Sequence, residues 1–146
     1  MKTLMRNMIL LAAVMVAFGT SNAVAQTLRD ANYNIVGKIA PNGTVRNSEY
    51  GAVGFFNNDG TIANAKNKKV GSIDSKMQIF DKDGTRIGYV SSNGSVFDND
   101  DKLIGKIDIK SGQVTNSDGE KLGYANGIPI QRVAAYFFFD FFNISK

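Results

Sequence analysis

The chain of 146 residues contains no cysteine and no histidine. Small exported domains with little core commonly rely on disulfides; this one must hold together by packing and by backbone hydrogen bonds. The same absences rule out lipid attachment through a cysteine, zinc ligation by His and Cys, and the usual nucleophile–base pairs of covalent catalysis. Charge of one sign is scarce too. Seventeen basic residues stand against 13 acidic ones, and the two are interspersed. No basic stripe of the kind that holds nucleic acid is formed, so nucleic acid is not an expected partner.

Long hydrophobic runs are also missing, with one short exception at the start. Lys2 and Arg6 open the chain, an apolar run from Met8 to Phe18 follows, and the segment closes on Ala23-Val24-Ala25. A basic start, an apolar middle of this length and an Ala-x-Ala exit form the pattern of a secretory signal peptide. The run falls short of the ~20 residues that span a bilayer, so an uncleaved anchor is the lesser reading. Cleavage is expected after Ala25, leaving Gln26 first and no transmembrane segment in the mature chain. The expected location is the periplasm or cell envelope, with release to the outside as the alternative.

What the rest of the chain has is a repeat. Gly37, Gly54, Gly71, Gly88, Gly105 and Gly123 follow one another at spacings of 17, 17, 17, 17 and 18. Val36, Val53, Val70, Ile87, Ile104 and Leu122 precede them. Ile39, Phe56, Ile73, Val90, Ile107 and Ala125 stand two positions after them. A further apolar column is Leu28, Val45, Ile62, Ile79, Val96 and Val114, followed two residues on by Asp30, Asn47, Asn64, Asp81, Asp98 and Asn116. A fixed period of this kind marks a repeat architecture.

Each column has a physical reading. The apolar residues are largely β-branched, which suits a pleated surface. Asp and Asn hydrogen-bond the backbone just ahead of them, and Gly accepts positive φ, so Asp81-Lys82-Asp83-Gly84 and Asn116-Ser117-Asp118-Gly119 read as hairpin turns. A second turn per unit ends in Gly43, Gly60, Gly94 or Gly112; the third unit has Met77 there, which predicts a turn of different shape. The repeated glycine is less obvious. Its apolar neighbours at −1 and +2 would face opposite sides of a regular strand. Either a bulge returns both to one side, or the glycine admits a close neighbour; close packing around an axis is the preferred reading.

One such hairpin cannot bury its apolar side alone, whereas neighbours in an array can. A ring hides its edges while a linear solenoid exposes two, so the expected fold is all-β: a closed, small propeller-like ring of five to six short hairpins. The signal peptide, the Val/Ile-Gly-x-Ile units and the aromatic end at Ala134-Ala135-Tyr136-Phe137-Phe138-Phe139 together resemble the exported five-fold β-flower proteins of Bacteroidota-type bacteria. That resemblance covers nearly the whole mature chain and implies a five-fold closed arrangement of hairpins. It carries no activity, so no functional residues come with it.

Three segments follow: a signal peptide over 1–25, the hairpin repeats over 26–128, and an aromatic segment over 129–146. The last breaks the period and holds five of the ten Phe, interrupted only by Asp140. It is expected to plug or cap the repeat core, as a helix or a strand; a partner-binding tail and a membrane-interface anchor are the alternatives. An outer-membrane barrel is disfavoured, because the repeat strands fall short of the ~9–11 residues a span needs.

Chemistry has little to work with. Ser72, Ser75 and Lys76 sit at a repeat position where nothing activates a serine. Asp81, Asp83, Asp98, Asp100 and Asp101 offer carboxylates for glycoside cleavage or oxygen ligands for calcium, but lie in turns where acids are expected anyway, without calcium-loop spacing. Tyr33, Tyr50 and the residues after the glycines, namely Lys38, Phe55, Ser72, Tyr89, Lys106 and Tyr124, either stack on sugar rings or pack between hairpins. The expected protein is a noncatalytic exported module, structural or ligand-binding, with no cofactor, metal or catalytic residue assigned. The residues name no partner; a glycan and an envelope protein are the candidates. The alternative is a glycan-active hydrolase using turn carboxylates.

Overall fold

The computed structural model describes residues 26–142. The expected signal peptide over 1–25 lies outside the described residues, as do residues 143–146.

Each repeat is one hairpin. The first strands are β1 (Thr27–Asp30), β3 (Thr44–Asn47), β5 (Thr61–Asn64), β7 (Gln78–Asp81), β9 (Ser95–Asp98) and β11 (Gln113–Asn116). Their partners are β2 (Ile35–Ile39), β4 (Ala52–Phe56), β6 (Lys69–Ile73), β8 (Arg86–Val90), β10 (Leu103–Ile107) and β12 (Lys121–Tyr124). Every strand pairs antiparallel with its neighbours in sequence, and β1 pairs with β12 to close the ring. Closure leaves no free strand edge. The count of hairpins is six, because on a closed ring six glycine anchors bound six units rather than five intervals. No helix among the described residues is long and apolar enough to cross a membrane.

The turns follow from the Asp/Asn column. In the first hairpin the Tyr33 N–H donates to the Asp30 carbonyl and the Asp30 N–H to the Asn34 carbonyl. The Asp30 side chain meanwhile accepts from the N–H groups of Asn32 and Asn34. This is a three-residue loop with its last residue in the left-handed region, and it recurs at Tyr50, Asn67, Gly84, Asp101 and Gly119. The Asp81 carboxylate accepts from Asp83 N–H at 2.9 Å and Thr85 N–H at 3.0 Å. Asp81→Ala is expected to cost about 1–2 kcal/mol by urea denaturation, whereas Asp81→Asn keeps the acceptor and should cost little, as Asn serves at the same place in three other units.

The Met77 turn is not of different shape. Met77 takes φ 60° and donates to the Asp74 carbonyl, as Gly60 donates to Asn57 at φ 92°. Its flexible side chain packs on the core, so methionine accepts a backbone that its neighbours give to glycine.

Both readings of the repeated glycine hold. Within each hairpin the register slips by one residue beside the glycine: Leu28 faces Gly37 and Arg29 faces Ile35, which makes Val36 the extra residue of a bulge. The same slip occurs in the other five hairpins. A bulge bends the strand and re-aims its side chains, so Val36 and Ile39 both reach the core. Close approach is equally real. A Cβ at Gly71 would stand 2.7 Å from the Phe80 carbonyl oxygen and 2.9 Å from Phe141 Cζ.

Eight strands make a barrel that inward side chains just fill, and more strands leave space. Here the chain's own end occupies the lumen. Pro129 leads into helix α1 (Ile130–Phe138). Nine residues make a marginal helix in water; burial of Val133, Ala134, Ala135 and Tyr136 supports this one. After it the aromatic rings fan out over the glycines. Phe137 lies against Gly123, Phe138 against Gly105, Phe139 against Gly88, Phe141 against Gly71 and Phe142 against Gly54. The order steps backwards from hairpin to hairpin. Among the described residues the atoms nearest a Cβ at Gly37 are backbone atoms of Arg46 and Asn47.

Tyr136 is 2% exposed, and burial pushes its phenol pKa up. The folded chain therefore holds this proton at a pH where the unfolded chain releases it. Its contribution is complete below the unfolded value of about 10 and is lost as pH rises above it. Thermal melts between pH 8 and 11 should show Tyr136→Phe losing less stability than the parent protein over the last unit.

Candidate functional site

Three features of the surface bear on chemistry. The first is the outer aromatic set. Tyr33 meets Tyr124 edge-on at 4.9 Å between centroids, and Arg29 lies over Tyr33 at 4.4 Å. Lys38 lies over Tyr50 at 5.2 Å, and Tyr89 stacks on Phe97 at 5.0 Å. Arg29 and Tyr33 belong to one hairpin, but the other three contacts join a turn or strand to the next hairpin, so these rings pack between hairpins. Phe55, Ser72 and Lys106 occupy matching outer positions on β4, β6 and β10. Tyr33 and Tyr50 stay 59% and 64% exposed, which leaves part of each face open.

The second feature is the acids. Asp81 and Asp98 accept backbone N–H groups of their own turns, and Asp83 and Asp100 stand at exposed tips. Asp101 accepts from the Tyr89 hydroxyl at 2.8 Å and faces Arg86 at 3.9 Å. Among the described residues no group of three or more acids is placed to hold a metal ion.

The third feature was not visible in the sequence. At the ring face where α1 enters, a cavity of about 540 Å³ opens between two adjacent turns. One turn supplies Asn57, Asn58, Asp59 and Thr61, the next supplies Asp74 and Ser75, and α1 supplies Gln131 and Arg132 over a floor of Phe56 and Ile73. Of the three serine–lysine candidates Ser75 lines this cavity; Ser72 lies on β6, and the Lys76 N–H donates to Asp74. Asp59 and Asp74 form a pair of carboxylates that sequence reading missed. The Thr61 N–H donates to Asp59 at 2.9 Å and, with the Thr61 hydroxyl, holds its carboxyl below the usual range. Partial burial pushes Asp74 up, but donors from Gln78 and Lys76 outweigh it and leave its carboxyl lowered. The guanidinium of Arg132 lies 5.6 Å over the Phe56 ring.

The described residues form a six-hairpin ring of bulged glycine strands, plugged by a C-terminal helix. A family model described as 5-fold beta-flower protein matches residues 24–142. The chain belongs to that family. No curated protein and no solved structure matches it. This β-flower has six hairpins where the family's description counts five; what it has five of are the phenylalanine rings of its plug.

Proposed function

We propose that this β-flower is a noncatalytic, exported ligand-binding or structural module of the bacterial cell envelope, with a glycan or an envelope protein as partner. The observation that supports the noncatalytic reading is the state of the cavity carboxylates. A glycoside hydrolase needs one acid held protonated by a raised pKa beside one ionised partner. Asp59 and Asp74 are both shifted downwards, and both accept hydrogen bonds from their own turns. Neither is set up to deliver a proton at neutral pH. Export rests on the basic, apolar and Ala-x-Ala order of the first 25 residues.

Expression of the full chain in a bacterium, followed by fractionation and N-terminal sequencing, tests export. The expected product begins at Gln26 and leaves the cytoplasm; an intact cytoplasmic chain would refute it. Incubation of that product with a panel of envelope glycans should release no shorter sugars.

A further inference from the structure

We infer that the cavity beside Arg132 is a binding site for a saccharide carrying a carboxylate, a uronic acid unit. This rests on the ligand-binding reading above and gives it a place and a chemistry.

Several polar side chains serve the fold: Asp and Asn cap turns, Arg29 and Arg46 hold the carbonyls of Tyr33 and Tyr50, and Arg86 pairs with Asp101. In the cavity, no side-chain hydrogen bond or ion pair within the described residues engages Asn57, Asn58, Ser75, Gln131 or Arg132. Two carboxamides, a hydroxyl, a further amide and a guanidinium line it over an apolar floor. A binding site of ordinary size has this make-up, a mostly apolar base with a few converging polar groups.

The ligand class follows from the charges. Arg132 is half-buried, and burial lowers its pKa, so its charge is poorly solvated. A planar guanidinium satisfies that charge best with a carboxylate held by two parallel hydrogen bonds. The nearby Asp59 and Asp74 carboxylates disfavour a multiply charged anion such as phosphate, but they still accept hydrogen bonds from hydroxyl groups. One carboxylate together with several hydroxyls on a small ring meets both demands. Half-buried Ile73 at the base of the cavity offers the apolar contact for a sugar face, while Phe56, buried beneath the Arg132 guanidinium, holds that group in place.

The test is calorimetric titration of the mature chain with trigalacturonate and with its neutral galactose counterpart. Binding of the acidic trimer is expected, at least tenfold tighter than the neutral one and weakened by salt. Arg132→Gln should weaken it at least tenfold, while Arg132→Lys, which keeps the charge and loses the fork, should fall between. Should Arg132→Gln melt differently from the parent, Asn57→Ala with Asn58→Ala, both on an exposed turn, is expected to weaken binding without touching the plug. No binding of the acid trimer, equal binding of both trimers, or undiminished binding by these variants would overturn the site. Release of galacturonate from the trimer by the parent protein, lost in Asp59→Asn, would instead sink the noncatalytic reading and leave the site standing.

Discussion

Gly88→Val should leave little cooperatively folded protein. A Cβ at this position would lie 2.5 Å from the Phe97 carbonyl oxygen and closer still to the Phe139 ring. The carbonyl belongs to β9, paired with β8 through Gly88 and Asp98, so it cannot retreat without breaking the ladder. The ring is confined by the lumen. Overpacking costs 1–3 kcal/mol where neighbours adapt; here roughly 3–5 kcal/mol is expected, a large share of a small domain's total. Gly84→Ala is the control. Nothing lies within 4 Å of a Cβ there, and only its left-handed backbone is penalised, by about 1–2 kcal/mol. Equal melting temperatures for Gly88→Val and the parent would refute the close-packed ring.

Removing residues 129–146 should have an effect as large. Four consecutive residues of α1 are buried, and five rings lie on five different hairpins. Burial of one large apolar side chain is worth about 1.5–3 kcal/mol, so losing the plug forfeits an amount comparable to the whole stability of a small domain. Leu28, Val45, Ile62, Ile79, Val96 and Val114, each 0% exposed, would line a wet tube. The truncated chain is expected to lose its sharp thermal transition and to bind a hydrophobic dye. A cooperative transition that survived truncation would show that the hairpins support one another without the helix.

Much of this architecture could be read from the residues because its causes are local. The Asp/Asn column makes a turn by bonding to N–H groups two and four residues ahead, and the 17-residue beat follows from strands of four and five residues with four residues between successive strands. Met77 misled for an equally local reason: methionine disfavours positive φ, and only packing on the core overrides that. The bulge beside each glycine could be posed as an alternative but not chosen, since both arrangements bring the −1 and +2 residues to cover. The Arg132 cavity had no signal at all. Nothing near Gln131 and Arg132 in sequence says that they meet turns at 57–61 and 74–75, because that meeting depends on which mouth of the ring α1 enters.

The mismatch between five phenylalanines and six glycine seats bears on how such a chain tolerates duplication. A tandem array readily gains or loses a member, and a closed ring can absorb the change by widening or tightening its bore. A plug of fixed length cannot. A variant short of one petal would have a phenylalanine of the plug for every seat, whereas a seventh petal would leave two seats without one. The helix and its fan of aromatics thus act as a gauge, and the number inscribed on that gauge is five.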